Sequence, residues 1–143
     1  MSKGNTFEND ILKLIFNATA IADIAQDDGS SPLTNLYVSL HTSDPGETGT
    51  QSTNEIAYTN YARVAVARTT GGWTVTNNSV SPVANIDFPA SAGGAGGTVT
   101  HFAVGTLSSG AGIILYSGTV DPDIVVATGV TPRLTTATAI TED

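Results

Sequence analysis

From Pro32 onward the chain is written in short runs that alternate apolar and polar residues, each closed by turn-forming residues. This rhythm constrains the fold more than any other feature. In "LYVSLH", Leu36, Val38 and Leu40 alternate with Tyr37, Ser39 and His41, the two-residue period of a half-buried strand. "YARVAVART" places Val64 and Val66 on one face and Arg63 on the other, and Gly71-Gly72 ends it. "WTVT" leads through Asn77-Asn78 toward "VANIDF", a predicted hairpin with Ile86 and Phe88 facing the same way. "TVTHFAVGT" carries Phe102 and Val104 opposite His101. "GIILYSGTV" and "DIVVAT" read as two strands joined around Asp121-Pro122-Asp123. "PRLTTATAIT" reads as one closing strand with Leu134, Thr136, Thr138 and Ile140 on one side. About seven or eight strands at this spacing predict a mainly β fold, an antiparallel β-sandwich of jelly-roll or immunoglobulin type. The 22 threonines and 15 glycines agree, threonine suiting strands and glycine the turns between them.

The N-terminus departs from this rhythm. In "NTFENDILKLIF" the residues Phe7, Ile11, Leu14 and Ile15 share one face at helical spacing, and Asn5 with Glu8 forms an asparagine version of the capping box. "NATAIADIAQDDGSSP" adds a short helical turn and a polar connection. The expected organisation is a helical segment and connection over 1–32 and a β-sandwich domain over 33–143, one core's worth of chain.

Thirteen acids against five bases give a net charge of −8, and no Lys or Arg occurs between Arg68 and Arg133. Such a surface cannot neutralise phosphates, which argues against nucleic acid, and an anionic membrane repels it. With no cysteine there are no disulfides, thiolate metal sites or cysteine nucleophile. "MSKGNTFEND" has no signal-peptide apolar core, and no apolar run reaches membrane-spanning length, so the expectation is a soluble protein made in a cytoplasm.

Motifs for chemistry are weak. His41 and His101 each lie opposite the apolar face of a strand, where solvent-facing or interface positions are expected. Ser108 and Ser109 in "GTLSSG" lack G-x-S-x-G spacing, and no nucleophile beside either histidine is legible. Two histidines without H-x-x-x-H spacing do not make a zinc site. Asp44, Glu47 and Glu55 are too few and too spread for the six to eight or so oxygens calcium takes, and "DPGE" reads as a turn. "GGAGG" lacks a lysine and runs into a strand, not a helix. Arg63 and Arg68 bracket a strand and read as strand-face charges, with ion pairing to a neighbouring subunit as the second reading. Trp73 and the scattered tyrosines, of which only Tyr58 and Tyr61 are close in sequence, suit core packing better than a sugar platform. The residues themselves thus describe an acidic β protein with no catalytic, cofactor or metal site, suited to binding or assembly.

The ordered set "ILKLIF", "LYVSLHTSDPGETGT", "NYARVAVART", "IDFPAS", "GTVTHFAVGT", "LYSGTV" and "GVTPRL" resembles a family of small tailed-phage virion proteins known as tail fibre proteins, matched in layout by phage capsid decoration proteins. The resemblance spans nearly the whole chain from about residue 10. It implies a β-sandwich-like virion component without enzymatic activity, made in the bacterial host cytoplasm. Two roles compete. As a head decoration (cement) protein it binds the outer capsid lattice as a homotrimer, its partners being itself and the major capsid protein. As a tail or tail-fibre component it contacts other tail proteins and the host. The lack of long fibre repeats favours decoration. An extracellular carbohydrate- or ligand-binding module is the alternative of another class. The expected partner surface comprises Phe7, Ile11, Leu14 and Ile15 of the helix, Asp44 and Glu47 of the exposed loop, and Arg63 and Arg68. The helix docks on a neighbour or, equally, plugs its own sandwich.

Overall fold

The structure, a computed structural model, describes residues 5–21, 25 and 32–142. One helix, α1 (Asn5–Asn17), precedes nine strands among these residues: β1 (Asn35–His41), β2 (Val64–Ala67), β3 (Trp73–Thr76), β4 (Ser79–Pro82), β5 (Ile86–Asp87), β6 (Gly97–Gly105), β7 (Ile114–Val126), β8 (Arg133–Leu134) and β9 (Ile140–Thr141). The fold is mainly β with antiparallel sheets, as the alternation predicts. The sheets run β2-β1-β6-β7, β3-β4-β9 and β5-β8. The expected helical turn after α1 and the polar connection lie mostly outside the described residues.

The chain forms two compact units that do not follow chain order. The first draws on 1–35, 66–85 and 134–143, the second on 36–65 and 86–133. The first unit brings α1 together with β3 and β4, against which it packs.

In the first unit, Leu12 and Phe16 are fully buried on α1, and Phe16 meets Trp73 edge-to-face with ring centroids 4.8 Å apart. Burying each such side chain is worth about 1.5–3 kcal/mol. The face used is Glu8, Leu12 and Phe16, one step around from the stripe the spacing picks out. Both stripes are available because Ile11-Leu12 and Ile15-Phe16 put apolar residues side by side; the aromatic contact with Trp73 selects the second. The helix closes at Ala18, whose φ is 52°, and Thr19 N–H donates to the Lys13 carbonyl. Thr76 and Ser79 pair across Asn77-Asn78, with φ of 55° at Asn77, so the turn is where it is expected, but the second strand of the hairpin is β4 and not "VANIDF", whose Ile86–Asp87 pairs with β8 in another sheet.

Two expected strands differ. "PRLTTATAIT" is not one strand: Thr138 N–H donates to the Thr135 carbonyl, and this turn separates β8 from β9, which join different sheets. "GIILYSGTV" and "DIVVAT" are one strand, β7, because both halves pair with β6. The register shifts from Val99↔Ile124 to His101↔Thr119, where the Asp121-Pro122-Asp123 stretch bulges out of the ladder, and again from Val104↔Tyr116 to Gly105↔Ile114, at Leu115.

In the second unit β1 and β6 are the inner strands. Leu36, Val38 and Leu40 face a core with Val99, Phe102 and Val104, all nearly inaccessible. Ile86 and Phe88 are both buried, as expected. Tyr58 and Tyr61 meet edge-to-face at 5.2 Å, and Tyr61 stacks on Phe88 at 6.4 Å.

Candidate functional site

The chemistry of the second unit centres on Arg63, one residue before β2. Its side chain is not a solvent-facing strand charge; only 2% of it is exposed. The segment after β1 doubles back, with an isolated bridge between His41 and Glu55, and covers the face where the alternation predicts water. The guanidinium donates Nε–H to Glu55 Oε1 and Nη2–H to Glu55 Oε2, both at 2.7 Å, a bidentate ion pair. Hydrogen bonding to Glu55 holds the Arg63 charge above its ordinary range. The Tyr61 hydroxyl donates to Glu55 Oε1 at 2.8 Å and accepts from Leu40 N–H at 3.1 Å. Burial, reinforced by the Glu55 charge, pushes Tyr61 far above the usual phenol range, so it remains a donor.

This network reaches out to the β6–β7 loop. Arg63 Nη1–H donates to the Leu107 carbonyl at 2.9 Å and Nη2–H to the Gly110 carbonyl at 2.7 Å. Buried Gln51 accepts from Leu107 N–H at 3.0 Å, donates Nε2–H to the Tyr37 carbonyl, and gives its backbone N–H to the Gly112 carbonyl. Gly105 and Gly112 lie so close to the Gln51 side chain that a Cβ at either would collide with it. The loop backbone is therefore fixed from beneath, while the Leu107 and Ile113 side chains stand 47% and 68% exposed. A fixed backbone with outward side chains lowers the ordering cost of a contact.

His41 is fully buried, a second departure from the expected solvent-facing position. Its Nδ1 lies 2.8 Å from the Thr53 carbonyl and its Nε2 2.9 Å from Ser39 Oγ. The carbonyl requires Nδ1–H, so Nε2 accepts from Ser39. Burial holds the imidazole below its ordinary value near 6.5. A hydroxyl does therefore sit beside His41, contrary to the sequence reading, which considered only Ser108 and Ser109. Ser39 is fully buried too, so the pair is sealed from any substrate. The signal was present as Ser-x-His, two residues apart on one strand face. His101, directly across the ladder, is half-buried with Thr100 Oγ1 2.8 Å from its Nδ1.

The other expected partner residues separate. Arg68 donates to the Leu14 and Ile15 carbonyls, both at 2.6 Å, and to Leu33. It caps the C-terminal turn of α1, which has no basic residue of its own. Phe7 is 40% exposed, and Ile11, Leu14 and Ile15 are half-buried beside the packed face. Asp44 and Glu47 are exposed; Asp44 Oδ1 accepts from Gly46 N–H, the turn that "DPGE" predicts. They border a depression of 330 Å³ whose other wall is Ile114–Ser117. Tyr58, Tyr61 and Trp73 belong to the interior. No three His, Asp or Glu side chains among the described residues are placed to share a metal ion, and no helix among them is long and apolar enough to cross a membrane.

A loop whose backbone is held by Arg63 and Gln51 while Leu107 and Ile113 stand outward is suited to contact, and the comparison with known families bears on what it contacts. The family model described as podophage GP4 fiber I protein gp80 matches residues 2–141. The chain belongs to that family. This places it among tailed-phage virion proteins, as the ordered motifs imply. No curated protein matches this gp80-family chain. The motifs the resemblance rests on now have physical roles: "NYARVAVART" contributes both Arg63 and the Arg68 cap.

Proposed function

We propose that this gp80-family protein is a non-enzymatic structural component of a podophage fibre, located on the tail side of the virion. The observation that carries the reading is the family match over 2–141, whose description names a fibre protein. The description moves the reading from head decoration, favoured on the lack of fibre repeats, toward the fibre. The anchored loop at Thr106–Ile113 supports a role in contact, since Arg63 and Gln51 fix its backbone and leave Leu107 and Ile113 outward. The sealed Ser39–His41 pair supports the absence of catalysis.

Gold-labelled antibodies against the purified chain, applied to intact virions, test the location. Label at the tail is the expected result. Label spread over the head shell would establish decoration instead.

The proposed partner surface on the helix is its outward side, where Phe7 is exposed. Deleting residues 1–16 also removes Leu12 and Phe16 from the interior, so loss of incorporation would follow from unfolding. Phe7→Ser tests the surface alone: reduced incorporation with an unchanged melting curve is expected, and normal incorporation would exclude Phe7 from a contact.

A further inference from the structure

We propose that the depression between α1 and the β3–β4 turn binds a neutral polyhydroxylated ligand, a sugar unit, with Glu8 as the central acceptor. The depression measures about 720 Å³ and lies within the first unit, with Glu8, Asn9 and Lys13 of α1 facing Asn77 and Asn78 of the turn. Small-ligand sites typically span about 300–1,000 Å³.

Glu8 carries the argument. α1 packs with the stripe Glu8, Leu12 and Phe16, whose first member is a carboxylate where the other two are apolar. The residue is only 6% exposed, yet among the described residues no hydrogen bond or ion pair reaches its carboxylate. The capping box expected of Asn5 and Glu8 is therefore not closed by the Glu8 side chain. A first-turn position favours negative charge through the helix dipole, which accounts for the charge and not for its enclosure. Among the described residues the sealed side-chain polar atom without a partner is Trp73 Nε1. The Glu8 oxygens are not sealed, so they open into the depression. An enclosed carboxylate is costly unless something donates to it, and here the fold leaves room for the donor.

The neighbouring groups define what that donor is. Asn9 donates Nδ2–H to the Asn77 carbonyl at 2.7 Å, and Asn78 donates Nδ2–H to the Glu142 carbonyl at 3.1 Å. Both amide nitrogens are committed, and both Oδ1 atoms are held in place with no donor among the described residues. Lys13, without an ion pair among these residues, adds an ammonium. Fixed acceptors beside one cation suit hydroxyl groups, because a hydroxyl donates to an oxygen and accepts from an ammonium through the same atom. Lys13 opposes a metal ion or an organic cation, and Glu8 opposes an anion. A neutral ligand escapes both, and hydroxyls set around a ring match acceptors spread over a helix and a turn. The described lining holds no aromatic ring, so recognition is by hydrogen bonds and not by stacking. The inference does not depend on where in the virion the protein sits.

Nuclear magnetic resonance of the full, isotope-labelled chain titrated with glucose, galactose and mannose tests it. Saturable shifts of the Asn9 and Asn78 side-chain amides and of the Glu8 backbone amide are expected with at least one hexose. Glu8→Gln keeps the shape and removes the charge, and should raise the dissociation constant by about tenfold with an unchanged melting curve. The wild-type titration decides the matter even where that variant is unstable. The methyl glycoside of the bound hexose, its anomeric oxygen blocked as in a glycan, separates the two sources: retained binding assigns a glycan unit, lost binding a free sugar. No saturable shift, shifts confined to residues outside the depression, unchanged affinity in folded Glu8→Gln, or saturation by calcium chloride or glycine in place of the hexoses would each overturn the proposal.

Discussion

Around Trp73 the first unit is held by apolar contact: Phe16 edge-on to the indole, Leu12 beside it, and amide hydrogen bonds from Asn9 and Asn17 at the margin. Around Arg63 the second unit buries a guanidinium, an imidazole and an amide and half-buries a carboxylate and a phenol, each with hydrogen-bond partners. Burial of apolar surface is non-directional and tolerates substitutes of similar size. A buried polar network is directional, and losing one member leaves another without a partner. The second kind of interior fixes geometry, and it lies beneath the exposed loop at Leu107–Gly110.

Substitutions should separate the two kinds of interior. Arg63→Ala is expected to cost the most, about 3–5 kcal/mol, because it leaves the largely enclosed Glu55 carboxylate without its cation and the Leu107 and Gly110 carbonyls without their donor. Urea unfolding measures this, and hydrogen exchange at the Leu107 amide should rise with it. Phe16→Ala is expected to approach that loss, again about 3–5 kcal/mol, by opening a cavity against Trp73. The comparison lies in the conservative variants: Phe16→Leu should recover a large part of the loss, whereas Arg63→Met should recover little. Equal recovery in the two would erase the distinction drawn here.

Smaller effects sharpen it. Tyr61→Phe removes one oxygen yet strands both Leu40 N–H and one Glu55 bond, an expected cost of about 1–3 kcal/mol. Arg68→Ala should cost less, about 1–2 kcal/mol, since water can reach the freed carbonyls of α1. Its effect should be fraying of the last helical turn, visible as faster exchange near Ala18. The weakest expected effect is on pH dependence. His41 is held below its unfolded value near 6.5, so the unfolded chain takes up a proton first as pH falls. Its contribution is intact above that value and declines as pH drops from there toward the folded value. Urea midpoints at pH 8 and pH 5 should show a slope that His41→Gln reduces.

Much of this was legible in the residues. Alternation identified the positions of β1, β2 and β6, and Asn77-Asn78 marked the turn that ends β3, because period and turn chemistry are local properties; that the turn leads into Ser79–Pro82 was not legible. The helix was equally local, but which of its two adjacent apolar stripes would pack was not, since Trp73 lies 57 positions from Phe16 and makes that choice. For the same reason "PRLTTATAIT" could not reveal its division: each half follows a different sheet. The expected interface arginines illustrate the limit well. Their sequence neighbours are ordinary strand residues, while their partners, Leu107 and Gly110 for Arg63 and Leu14 and Ile15 for Arg68, come from remote segments.

The sequence by itself therefore determined the β class, the leading helix, the acidic surface and the family, all of which depend on composition, period and the order of motifs. Only the tertiary structure decided that His41 and Arg63 are interior. A strand's period says which residues share a face, but not whether that face meets water. Here the returning segment around Glu55 covers it, and residues that alternate as though solvated become the polar core beneath an exposed loop.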